Sequence, residues 1–159
     1  MRANAHVPKS IDPKLADFPI TSVEKLRYAD TDLQGHITNT VFAVSCQNAR
    51  MELLCDPQRV PIPPNTQFVI ARLVLEFRAE MQWPGTVEVG TRVERVGRSS
   101  ATLAQALFVR ERCVAVAESV VSLMNTTSRQ PAHLPVETVE ALQAFARHQW
   151  QEASTLIRA

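Results

Sequence analysis

Residues 28–54 read YADTDLQGHITNTVFAVSCQNARMELL, and the change of pattern inside this stretch decides the fold. Asp30 to Gly35 reads as a turn, dense in Asp, Thr and Gly. From Thr38 or Asn39 the period changes. Phe42, Cys46, Ala49 and Leu53 recur at helical spacing, and Val41, Val44 and Met51 widen the stripe. This predicts a helix to about Leu54, apolar around much of its surface and therefore buried. Thr38 or Asn39 is the expected N-cap, since either side chain can accept from the free amides of a first turn. Asp56-Pro57 ends the helix, because the residue before a proline is biased away from helical backbone.

Outward from this helix the chain reads mainly as strands. Residues 1–19 form an N-terminal arm, and a strand is expected around Val23 to Tyr28. VPIPPN, residues 60–65, is a stiff loop. Four strand-like runs follow. Residues 66–79 place Leu73, Leu75 and Phe77 on one face and Arg72, Glu76 and Arg78 on the other. Residues 86–96 carry Val87, Val89, Thr91 and Val93. Residues 99–109 set Leu103 and Leu107 against Ala104 and Ala106. Residues 113–124 set Val114, Val116 and Val120 against Ala115, Ala117 and Ser119. Faces of Ala and Ser let a helix approach closely. Short connections near Pro84-Gly85 and at residues 110–112 predict an antiparallel meander. A last helix is expected from Pro135 to about Gln151, with Val139, Leu142, Phe145 and Ala146 at helical spacing. The reading is an α+β domain over 20–134, an antiparallel sheet wrapped around one long helix, with a C-terminal helical extension over 135–159.

A chain of 159 residues with 45% hydrophobic content suits one domain with a real core. Seventeen basic residues face sixteen acidic ones, for a formal charge of +1, which argues against nucleic acid or an acidic membrane as a partner. Cys46, Cys55 and Cys113 are odd in number and scattered, so they are expected as reduced, buried thiols of an intracellular protein rather than as disulfides or zinc ligands. No signal-peptide core and no spanning run of roughly 18–20 apolar residues is evident. A cytoplasmic location without membrane insertion is the expectation.

The polar turn carries the chemistry. A helix N-terminus presents free amides and about half a unit of positive charge, which suits an oxygen where negative charge develops. Thr38, Asn39 and Thr40 lie there, and Asp32 lies just upstream, joined through a Gly that permits close backbone approach. A carboxylate and an amide-lined pocket can then face one carbonyl, as acyl transfer requires. From spacing alone, Asp32 serves equally well as a cap of the turn. Asp30 is expected to bond the turn backbone. Asp30, Asp32 and His36 have no fourth partner that would make a metal site.

RYADTDLQGHITNTVF, continued by QNAR at 47–50, resembles the opening signature of hotdog-fold acyl-CoA thioesterases of the 4-hydroxybenzoyl-CoA thioesterase type. The matching positions are Tyr28, Asp30, Thr31, Asp32, Gly35, His36, Asn39, Phe42, Ala49 and Arg50. A looser resemblance runs to about residue 136 through LVLEFRAEMQWPGTVEVGTRVERVGRSSATL. The resemblance implies an acyl-CoA substrate and no cofactor or metal. It implies a homodimer or dimer of dimers with sites at the subunit interface. Asp32 would be the catalytic carboxylate, the Asn39 amide would polarise the thioester carbonyl, and His36 would support the site. Tyr28, Gly35, Thr40 and Phe42 are the expected substrate-side residues. Arg98, Ser99 and Ser100 are the expected coenzyme A contacts from the neighbouring subunit, ahead of Arg72. Two positions depart from the signature. Gln47 stands where relatives carry Glu and cannot act as a base, and Thr38 replaces the first Asn of the pair. The alternative is an acyl-CoA or acyl-carrier-protein binder of the same fold that does not hydrolyse its ligand.

Overall fold

The computed structural model describes residues 12–146. Its elements are β1 (Ile20–Lys25), α1 (Asn39–Leu54), β2 (Thr66–Phe77), β3 (Thr86–Val96), β4 (Ser100–Val109), β5 (Arg112–Asn125) and α2 (Val136–Gln143). The five strands form one antiparallel sheet in the order β1-β3-β4-β5-β2. β3, β4 and β5 are the expected meander. The β4–β5 turn takes positive φ at Arg110 and Glu111, as a tight hairpin requires. β2 crosses from the end of α1 to the far edge of the sheet. This is the hotdog arrangement of a sheet curled around a long helix.

Alternation sets the inner face. Val87, Val89, Thr91 and Val93 of β3 are buried, as are Leu103, Gln105 and Leu107 of β4 and Ala115, Ala117, Ser119 and Val121 of β5. Phe42, Cys46 and Ala49 of α1 pack into this face near the helix start, and Leu53 and Leu54 near its end. The helix lies chiefly over β3, flanked by β1 and β4. Only part of the small-residue reading holds: Ala115, Ala117 and Ser119 do face inward, whereas Ala106 packs on the outer face with Phe108 and Phe18. Between the two apolar clusters sits a polar belt. Gln105 Nε2 donates to the Cys46 carbonyl and to Thr91 Oγ1, both at 3.0 Å, and Arg50 Nη1 donates to Gln105 Oε1 at 3.1 Å.

Several boundaries moved. β1 stops at Lys25, and Tyr28–Asp30 form a 3-10 turn instead of strand, because the Asp30 carboxylate draws the Arg27 amide back onto it. Thr38 is the N-cap by position, yet its hydroxyl contacts Thr40 Oγ1 at 3.3 Å and caps no amide. α2 ends at Gln143, residues 144–146 leave the helix as a turn and a bridge to β3, and the rest of the expected terminal helix, from 147 on, lies outside the described residues. Beyond Ile20, where β1 begins, Val93 N donates to the Phe145 carbonyl at 3.0 Å, so this tail continues the sheet edge. Of the N-terminal arm, Phe18 is buried on the outer face, edge-on to Phe108 and with the Arg92 guanidinium 5.0 Å over its ring. The three cysteines are free, but only Cys46 is buried; Cys55 is exposed and Cys113 half-buried. Cys55 follows the last turn of α1, where the chain leaves the sheet.

Candidate active site

The turn before α1 is built by its own backbone. Asp32 N donates to the His36 carbonyl at 2.8 Å, and Gly35 N donates to the Asp32 carbonyl at 3.1 Å. Gly35 sits at φ +82°, where a Cβ would be strained. Asp32 Oδ1 closes the loop by accepting from Gln34 N at 2.8 Å and His36 N at 3.0 Å. Its Oδ2 has no hydrogen-bond partner among the described residues. One oxygen of this carboxylate therefore holds the turn, and the other makes no hydrogen bond among the described residues.

Asp30 is structural. It is buried and receives the Arg27 guanidinium at 2.6 Å and the Arg27 amide at 2.9 Å. The hydrogen bond from Arg27 holds its carboxyl below the usual carboxylate range. Its own carbonyl accepts from Thr38 N at 2.8 Å, which aims the start of α1. Neither the Asn39 nor the Thr40 amide has a hydrogen-bond acceptor among the described residues, in keeping with the orphan donors of a first helical turn.

These parts open on one cleft of about 1400 Å³. Asp32, His36, Thr38 and Asn39 line it together with residues 77–86, between β2 and β3, which pair with the 36–37 segment. Phe42, with Phe77 edge-on at 5.1 Å, gives an apolar floor. The β4–β5 hairpin closes the side with Arg110 and Arg112, which make no ion pair among the described residues. Arg78 also lines the cleft but is held by Asp12 at 2.8 Å. The cleft thus gathers two guanidinium groups without ion pairs among the described residues, an apolar pair of rings, and a helix start beside a carboxylate.

The structure brings Asp32, His36, Asn39 and Phe42 together on this cleft. Gly35 shapes the loop, and Thr40 lies exposed one residue along from Asn39. Tyr28 stands outside, 73% exposed and edge-on to Trp83 at 5.4 Å. Arg98, Ser99 and Ser100 lie at the β3–β4 turn, the opposite end of the sheet from the cleft, where the Arg98 and Ser99 carbonyls accept from Leu134 N and Leu123 N. Arg72 pairs with Glu118 on the outer face. Gln47 is exposed on α1, eight residues or roughly 12 Å beyond Asn39, and outside the cleft. Sequence reading missed Glu80, Trp83, Arg110 and Arg112. The last two were visible as a hairpin turn, but no local pattern shows that this hairpin meets the start of α1.

Residues 26–143 match the thioesterase-like superfamily. A protein from Pseudomonas aeruginosa superposes with a TM-score of 0.75 at 23% identity, over 84% of this chain and 96% of that one. A predicted thioesterase from Bacillus stearothermophilus gives 0.72 at 26% identity, over 79% and 95%. A thioesterase from Thermus thermophilus, complexed with coenzyme A and Zn, gives 0.71 at 26% identity, over 81% and 95%. No curated protein matches the sequence significantly. With its polar turn, its long helix and four of the five strands, β2 to β5, inside the matched span, the chain belongs to the thioesterase-like superfamily.

Proposed function

We propose that this protein is an acyl-CoA thioesterase acting in the manner of the 4-hydroxybenzoyl-CoA type. The observation that carries the reading is the unpartnered Asp32 Oδ2 on the same cleft as the free Asn39 amide. The thioester carbonyl oxygen points at the Asn39 amide, where the helix dipole favours developing negative charge. Asp32 Oδ2 acts on the carbonyl carbon, either as base for a water or as nucleophile. The acyl group lies on Phe42 and Phe77, and the phosphates of the coenzyme meet Arg110 and Arg112. The coenzyme A in the Thermus thermophilus thioesterase supports this ligand class.

The site is completed by a second copy of the chain. β2 is an edge strand, with Ile70, Leu73, Val74 and Phe77 each exposed by 38% or more. An open apolar edge of this length invites pairing. Antiparallel pairing of two β2 strands about a two-fold axis sets the Thr66 end of one beside the Phe77 end of the other. Arg98, Ser99 and Ser100 of the partner subunit then lie about three strand spacings, roughly 14 Å, from this cleft, within reach of an extended coenzyme.

Gln47 favours the second reading, a binder that holds the thioester without cleaving it. A panel of acyl-CoAs assayed for free thiol separates the two. Thiol release that disappears in Asp32→Asn supports the hydrolase; tight binding with no release from wild type supports the binder.

A further inference from the structure

Asp32 is not the only carboxylate on the cleft. Glu80, on the β2–β3 segment that pairs with residues 36–37, places Oε2 3.2 Å from His36 Nε2. Backbone register sets this pair. His36 forms an antiparallel bridge with Gln82, and Ile37 N donates to the Met81 carbonyl at 2.9 Å. That register puts Glu80 diagonal to His36 on the same face. Ile37 and Met81, 4% and 1% exposed, anchor the two segments in the core, so the ribbon is not free to slide. His36 is joined to Asp32 in both directions, through its carbonyl to Asp32 N and through its amide to Asp32 Oδ1. One chain of contacts therefore runs from Asp32 through His36 to Glu80.

We infer that Glu80 is a positioning residue for His36, and that the two are the second proton-carrying unit of the site. The inference rests on the thioesterase reading above. A carboxylate that accepts from Nε2–H fixes the ring and leaves Nδ1 facing away from it, as acceptor when neutral and as donor when protonated. In the nucleophile role the departing thiolate needs a proton that Asp32, then bonded into the anhydride, cannot give; in the base role a second acid spares Asp32 from reaching both the water and the sulfur. If Asp32 Oδ2 takes the proton of a water whose oxygen bonds to the carbonyl carbon, the C–S bond then breaks with its electron pair on sulfur. The His36 imidazolium protonates that thiolate and regains a proton from Asp32 through solvent. If Asp32 itself bonds to the carbonyl carbon, the departing thiolate takes the imidazolium proton. The water that opens the anhydride then gives its proton to Nδ1 and frees Asp32. Both routes end in a carboxylic acid, a thiol and an unchanged protein. Glu80 supplies from the β2–β3 segment the second carboxylate that Gln47 cannot supply from the helix.

Four proteins test this: wild type, Glu80→Gln, His36→Gln and the double variant, on an acyl-CoA that wild type turns over. Glu80→Gln should lower kcat about tenfold with KM nearly unchanged, and His36→Gln at least as much. The double variant should be no slower than His36→Gln alone, because Glu80 acts only through the imidazole. An unchanged kcat in Glu80→Gln, or a full further loss in the double variant, overturns the inference. A second arm needs no turnover. In 15N-edited spectra at low temperature, wild type should show a His36 Nε2–H signal sheltered from exchange, and Glu80→Gln should lose it. Equal signals in both sink the pairing. Absence of thiol release from wild type across the panel would sink the hydrolase reading instead, with the spectra still deciding the pair.

Discussion

Replacing Asp32 by Asn separates the role it has in the turn from the catalytic role proposed for it. The amide oxygen can still accept from Gln34 N and His36 N, now 2.8 and 3.0 Å from Oδ1, so the turn should persist. The nitrogen takes the place of the free Oδ2 and cannot serve as base or nucleophile. Loss of a positioned base is worth roughly 10²- to 10⁴-fold in kcat, or about 3–5 kcal/mol of barrier at ~1.36 kcal/mol per tenfold. Stability should fall by only about 1 kcal/mol, the difference between charge-assisted and neutral hydrogen bonds. Asp32→Ala loses both contacts and should melt lower than the Asn variant. The assay is thiol release from acyl-CoAs, read with a thiol-reactive chromophore. Exposed Cys55 will itself react, so a protein-only trace must be subtracted. Cys46 should stay silent, since burial pushes its thiol up to about 11. A kcat for Asp32→Asn within about threefold of wild type, with both proteins folded, would refute the reasoning.

Three further outcomes are expected. In solution the chain should be at least dimeric by sedimentation velocity. Val74, 44% exposed, should lose that contact when changed to Lys: covering the exposed part of two such side chains is worth about 1.5 kcal/mol, so Kd should rise at least about tenfold, and a monomeric wild type would contradict the edge-strand interface. Gly90→Ala should lower Tm by several degrees, about 1–3 kcal/mol, because its Cβ would meet the Phe18 ring at 2.5 Å; an unchanged melt would mean that Phe18 is not seated on β3. Asp30→Asn should destabilise the fold at neutral pH. The folded-state carboxyl titrates below its unfolded value, so its contribution is present above the ordinary carboxylate range and is lost as pH falls through the depressed one. Chemical denaturation at pH 7 and at pH 3 should therefore show a gap between variant and wild type that narrows in acid; a constant gap would count against the Arg27 pairing.

Much of the fold was legible because its signals are local. Phe42, Cys46, Ala49 and Leu53 announce α1 by spacing, Asp56-Pro57 announces its end, and the turn at residues 110–112 announces a meander. The end of β1 was missed because it depends on a side chain, Asp30, that recaptures the Arg27 amide. The thiol of Cys55 was misread because helical spacing says little about which residue falls just past the last buried turn.

The site divides in the same way. Asp32, Gly35 and Asn39 are close in sequence, so the chain by itself determined that a carboxylate, a tight turn and a helix start would lie together. A separation of a few residues cannot take them far apart. What only the tertiary structure decided is what faces them. Glu80, Phe77, Arg110 and Arg112 come from 40 to 80 residues away, and they meet Asp32 because β2 crosses the sheet and β4–β5 returns at the same end. It likewise decided that Asp32 commits one oxygen to the loop and leaves the other free. Such choices depend on strand order and register, which long-range packing sets and no local pattern encodes.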